Sequence, residues 1–143
     1  MVTRTIAVID DDASVRRAFS RLLRAAGFDV SPYASGQEFL DSRDDPRPDC
    51  AVLDMHMPGL SGLELQQRLN ETGVRIPMIV ITADMELQSC QAALDEGAVA
   101  YLRKPVDGPE LLECLERAIA KAPGKTSAGK VPQSKVRRVA GAR

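Results

Sequence analysis

The chain has 143 residues, 44% of them apolar and 27% charged, which suits a single globular core and excludes a disordered chain. Trp is missing and there are only three Phe and two Tyr, so a packed core must rest on Leu, Val, Ile, Ala and Met. The formal net charge of −1 hides a division: residues 122–143 hold six basic side chains and no acid, leaving −7 on residues 1–121.

The elements alternate along the chain. Thr5–Ile9 is a short apolar, β-branched run and reads as a strand. Val15, Phe19, Leu22, Leu23 and Ala26 then recur at helical spacing and stop at Gly27. Phe28–Tyr33 reads as a second strand. Ser35-Gly36-Gln37-Glu38 is a capping box opening a short helix through Phe39 and Leu40. Asp49–Leu53 is a third strand. Ser61-Gly62-Leu63-Glu64 is another capping box, with Leu60 and Leu65 placed as its hydrophobic staple, and that helix runs to about Thr72. Pro77–Ile81 is a fourth strand. Leu87, Cys90, Ala93 and Leu94 mark a helix ending at Gly97. Val99–Leu102 is a fifth strand, and Asp107 can cap a last helix with Leu111, Leu112, Leu115, Ala118 and Ile119 on its apolar face.

Five strand–helix pairs thus fill about 120 residues, without an internal repeat beyond that unit. Strands one, three and four are continuous apolar runs, the pattern of a parallel sheet covered on both faces. Right-handed crossovers then predict an α/β, doubly wound, five-stranded parallel sheet with five helices. In such sheets ligands bind outside the carboxyl ends of the strands. Strand one runs into Asp10, Asp11 and Asp12, strand three into Asp54, strand four into Thr82, and strand five precedes Lys104. A strand order of 2-1-3-4-5 makes the first and third strands neighbours, so their acids converge.

Asp12 is expected to cap the first helix. Asp10, Asp11 and Asp54 against Lys104 leave a residual −2, which calls for a divalent cation. Hard oxygen ligands suit Mg²⁺, with Mn²⁺ as a substitute. A carboxylate beside such a cation can attack phosphorus to give an acyl phosphate. Asp54 stands alone on its strand and is the candidate nucleophile, with Asp10 and Asp11 as metal ligands and Thr82 and Lys104 sharing the charge of the transferred group.

Taken jointly, IDDD, LDMHMPGLSGLEL, VITA and YLRKP, in that order across about residues 4–121, resemble the receiver domain of two-component response regulators. The resemblance implies a flavodoxin-like fold of order 2-1-3-4-5 and a phosphorylation-dependent switch rather than a metabolic enzyme. It implies that Asp54 accepts phosphate from a histidine kinase or phosphotransfer protein. Asp10, Asp11, Asp54 and the backbone carbonyl of His56 would hold Mg²⁺. Lys104 would pair with the phosphate, Thr82 would report on it, Tyr101 would swing inward, and Lys104-Pro105 would carry a cis peptide bond. Output would use the face of the fourth helix, fifth strand and fifth helix, where a homodimer could also form. His56 and Asp84 stand two residues after Asp54 and Thr82, positions at which the family tunes dephosphorylation; for His56 a plain surface role is the favoured reading.

Other chemistries fit less well. Asp10 to Ser14 also reads as DxDxS, similar to the first motif of haloacid-dehalogenase-type phosphatases, but no acidic pair follows Lys104 and the third-strand motif would go unexplained. Gly124-Lys125-Thr126 ends like a P-loop, yet Ile119 stands where its first glycine should be. Cys50, Cys90 and Cys114 have no metal or redox spacing and read as buried free thiols. Residues 1–121 are expected to form the domain and 122–143 a basic flexible tail or shortened linker. DNA enters as a partner only with a further output domain. Without a signal-peptide pattern or an apolar run of ~18 residues, the expected location is cytoplasmic, with no membrane partner.

Overall fold

The computed structural model describes residues 3–42, 47–73, 75–83 and 87–121. The elements follow in strict alternation: β1 (Thr5–Ile9), α1 (Ala13–Ala25), β2 (Asp29–Tyr33), α2 (Gly36–Asp41), β3 (Cys50–Asp54), α3 (Gly62–Thr72), β4 (Met78–Thr82), α4 (Leu87–Asp95), β5 (Ala100–Arg103) and α5 (Gly108–Lys121). All pairings are parallel and the sheet order is β2-β1-β3-β4-β5.

Side-chain alternation explains why the central strands are apolar throughout. Successive residues of a strand point to opposite faces. Ile6 and Val8 of β1 enter the core shared with Phe19 and Leu23 of α1 and Leu111 and Leu115 of α5. Ala7 and Ile9 enter the opposite core, with Phe39 of α2 and Leu65 and Leu69 of α3. A third cluster joins Met55, Val80, Ala93, Ala98 and Tyr101. Burying one Val, Leu, Ile or Phe contributes about 1.5–3 kcal/mol, so a strand covered on both sides can tolerate a polar residue only at its end. The edge strand β2 is more exposed and carries Pro32, which cannot donate to a ladder and is at home on an edge.

The caps follow the sequence closely. Asp12 Oδ1 accepts from the N–H groups of Ser14 (2.8 Å) and Val15 (3.3 Å). The Ser61 box is complete: Ser61 Oγ accepts from Glu64 N at 3.2 Å, and Glu64 Oε1 accepts from Ser61 N at 2.8 Å. The Ser35 box is shifted. Ser35 Oγ accepts from Glu38 N at 3.0 Å, but the Glu38 carboxylate reaches back to Ala34 N at 2.6 Å, one residue beyond the cap. The Lys104–Pro105 peptide is cis. Cys50 and Cys114 are buried thiols outside any disulfide, and burial pushes the Cys50 thiol up to about 12. The Cys90 side chain, Asp84 and the basic segment 122–143 lie outside the described residues.

Gly62 opens α3 hard against the end of β3. A Cβ there would lie 2.8 Å from the Asp54 carbonyl oxygen and 2.9 Å from Met55 Cα, both backbone. At Gly36 the nearest atom is instead Leu60 Cδ2 at 3.1 Å, the end of a flexible side chain. Gly62→Ala is therefore expected to lower stability by about 1–3 kcal/mol, and Gly36→Ala by clearly less, as read by urea unfolding midpoints of the two variants.

Candidate functional site

Parallel strands deliver their C-termini to one edge, and the register decides which side chains meet there. Ile9 is paired with Leu53, so Asp10 and Asp54 leave neighbouring strands at the same level. Asp54 is in turn paired with Ile81, one residue before Thr82, and Thr82 with Arg103, one residue before Lys104. The backbone N–H of Lys104 donates to the Thr82 carbonyl at 2.9 Å. Four separate strand ends therefore converge, as the sequence led us to expect.

Asp10 and Asp54 are almost wholly buried, at 1% and 5% exposure, whereas Asp11 is exposed. One carboxylate oxygen from each of Asp10, Asp11 and Asp54 lies within 4.8 Å of the others. Lys104 Nζ stands between the two buried acids, 3.5 Å from Asp10 Oδ2 and 3.6 Å from Asp54 Oδ2. Backbone donors hold the remaining oxygens: Asp12 N–H on Asp10 Oδ1 at 2.9 Å and His56 N–H on Asp54 Oδ1 at 3.2 Å. Burial, and then the charge of Asp10, raise the Asp54 pKa above its ordinary 3.8, against the opposing pull of Lys104 and the His56 N–H.

The donor set fits a hard divalent cation. It is all oxygen, it clusters tightly, and one ammonium leaves it two charges short of neutral. Asp10, Asp11 and Asp54 are the side chains that would hold such an ion. Thr82 is buried at the rim of the pocket, on the end of β4. Tyr101 is also buried, in the cluster with Met55, Val80 and Ala93. The His56 side chain is exposed, in keeping with a surface role. Asp12 spends its carboxylate on the cap of α1, where the phosphatase reading would need a general acid.

Two residues of the site were not foreseen. Gly62 lets α3 start beside the Asp54 carbonyl; its signal was a glycine directly after a capping serine. Arg16 donates from Nη1 to the Asp10 carbonyl at 2.8 Å, and the only hint was a charged residue next to the apolar stripe of α1.

Comparison with known proteins agrees with this geometry. The profile of the response regulator receiver domain matches residues 6–116. The transcriptional regulatory protein TdiR of Thauera aromatica is 38% identical over 116 residues, covering 81% of this chain and 51% of that protein. The DNA-binding transcriptional regulator NtrC of Klebsiella pneumoniae is 35% identical over 113 residues, 79% of this chain and 24% of that protein. The chain thus spans about half, or less, of the length of these relatives. Among solved structures, the crystal structure of FixJ-N superposes with a TM-score of 0.79 at 31% identity, covering 90% of this chain and all of that one. The Vibrio cholerae chemotaxis protein CheY4 superposes with a TM-score of 0.76 at 27% identity, covering 82% of this chain and 99% of that one. Ordered strand-end acids, a lysine shared between two of them, and a matching family profile lead to one conclusion: this chain belongs to the response regulator receiver domain family.

Proposed function

We propose that the chain is a phosphorylation-controlled switch in which Asp54 accepts a phosphoryl group from the phosphohistidine of a sensor kinase or phosphotransfer protein. The observation that supports it most directly is the placement of Lys104 between two buried carboxylates, with a third acid beside them. An Asp54 oxygen attacks phosphorus, the new P–O bond forms, and the P–N bond breaks with its electron pair returning to the imidazole. Asp10, Asp11, Asp54 and the His56 carbonyl are the groups that would hold Mg²⁺, or Mn²⁺ in its place. Bound there, the ion would supply positive charge for the phosphoryl oxygens.

The protein's own residues do the rest. Lys104 would leave its two carboxylates for a phosphoryl oxygen, and the Thr82 hydroxyl would donate to another. Charge-assisted bonds of this kind are the strong ones. The consequence would reach Tyr101, and output would use the α4–β5–α5 face, where a second copy could also dock. Residues 122–143 would be a basic tail or linker to this domain. Two relatives are named as transcriptional regulators; for this chain, DNA would enter through a linked output domain. No helix among the described residues is long and apolar enough to cross a membrane; the cytoplasmic location is part of this proposal.

Intact mass after acetyl phosphate and Mg²⁺ tests the proposal. The wild type should gain a single phosphoryl mass; Asp54→Asn, or wild type in EDTA, should gain none. Lys104→Ala should label about tenfold more slowly or worse. Labelling of the Asp54→Asn variant at Asp10 would instead revive the phosphatase reading.

A pH dependence follows from the raised Asp54 pKa. The folded state holds the Asp54 proton more tightly than the unfolded chain does. Its contribution to stability is therefore full below the ordinary value of 3.8 and is lost as pH rises through the folded value. In EDTA at neutral pH, Asp54→Asn should melt a few degrees higher than wild type, and the gap should close as pH falls below 3.8.

A further inference from the structure

Arg16 stands in the first turn of α1, half-buried, at a place where helix physics argues against it. The N-terminus of a helix carries partial positive charge and favours acids, not cations. The first turn of α1 holds no acid. Arg17, Arg21 and Arg24 follow on the same side of α1 and, with Arg16 and Pro32, line a groove of about 310 Å³ against β2. None of the four arginines forms an ion pair with an acid among the described residues. The like charges around Arg16 add a further cost, and yet its guanidinium turns inward to the Asp10 carbonyl at 2.8 Å.

Asp10 is held on every side. Its N–H donates to the Tyr33 carbonyl at 3.1 Å, Oδ1 accepts from Asp12 N–H, Oδ2 faces Lys104, and its carbonyl oxygen takes Arg16. Asp11 is the opposite case. It is exposed, and among the described residues no hydrogen bond or ion pair holds its carboxylate. The direction of that carboxylate then depends on its backbone. The carbonyl that Arg16 grips belongs to the Asp10–Asp11 peptide, a rigid plane. Holding this oxygen restrains the plane, and with it the position of the Asp11 Cα from which the side chain departs.

We propose that Arg16 is a positioning residue for the cation pocket: by pinning the Asp10–Asp11 peptide it aims the otherwise unheld Asp11 carboxylate at Asp10 and Asp54. The inference rests on the cation-binding reading of the pocket. Residues that orient the ligands of a metal commonly change its affinity about tenfold or more when removed.

The test is Mn²⁺ binding to the full chain without any phosphodonor, read from the electron paramagnetic resonance of free Mn²⁺, beside the melting temperature in EDTA. Arg16→Ala should weaken Mn²⁺ about tenfold at a temperature where far-ultraviolet circular dichroism shows the native fold. Arg16→Lys, which keeps one charged donor, should recover part of that loss. Arg16→Gln replaces the alanine variant if the latter does not fold. Unchanged Mn²⁺ affinity in Arg16→Ala or Arg16→Gln, even with a lower melting temperature, would reduce Arg16 to a tie between α1 and β1 and overturn the inference. Asp11→Asn is the control for the pocket itself. Wild type that binds no Mn²⁺, or Asp11→Asn that binds as well as wild type, overturns the pocket reading and the Arg16 inference with it. A normal Asp11 effect with no Arg16 effect overturns the inference alone.

Discussion

Two buried carboxylates at the ends of adjacent strands repel each other, and the fold has no way of separating them. Unit charges about 4 Å apart at an effective dielectric near 20 interact by about 4 kcal/mol. The pairing of Ile9 with Leu53 brings Asp10 and Asp54 to the same level, and the apolar strands behind them leave neither side chain another place to go. One lysine from a third strand end offsets this, shared at nearly equal distances. A cation shared between two anions is committed to neither, and a new anion between them can draw it away. The proposed switch uses that property. Burial, and after it the same repulsion, keep the Asp54 pKa raised despite Lys104, so the pocket favours any added positive charge.

The surrounding structure keeps this arrangement from relaxing. Backbone N–H groups of Asp12 and His56 fix one oxygen of each buried acid. Asp12 is itself held as the cap of α1, so the loop after β1 is bound into the helix that follows it. On the other strand, α3 begins so close to the Asp54 carbonyl that only a glycine fits, and the complete capping box at Ser61 sets where that helix starts. Both loops that shape the pocket are thus anchored by helix N-termini.

What could be read from the sequence divides along physical lines. Period-two burial on both faces makes a central strand an apolar run, so β1, β3 and β4 announced themselves, and the polar residue ending each run marked the pocket. Caps at Asp12 and Ser61 involve residues two or three apart and were equally legible. The Ser35 box was read correctly in kind but not in partner, because whether Glu38 bonds the cap residue or Ala34 before it depends on how the chain enters the helix. Arg16 and Gly62 escaped for a stronger reason. A hydrogen bond to a carbonyl at a strand end, and the clearance beneath a glycine, are properties of how elements stack, and no local spacing encodes them.

The contacts also suggest how a small change at Lys104 would travel. Lys104 continues β5 and bonds through its backbone to Thr82, so β4 and β5 are tied together at the pocket. Three residues back along β5, Tyr101 packs against Val80 of β4 and Ala93 of α4. Polar side chains of α3 hold α4 and the turn after it: Gln66 donates to the Ala93 carbonyl at 3.1 Å, and Asn70 to the Glu96 carbonyl at 2.9 Å. The attachment is incomplete, since the buried Gln66 Oε1 has no partner among the described residues, a situation that costs about 1–3 kcal/mol when nothing satisfies the atom. Converting a 1:99 population into 99:1 takes about 5.5 kcal/mol of differential interaction. A charge-assisted network at Asp54 acting on a helix held by an imperfect polar seam is of the right size for that task, whereas the fully packed core beneath α1 and α5 is not a place where so small a free energy could repack anything.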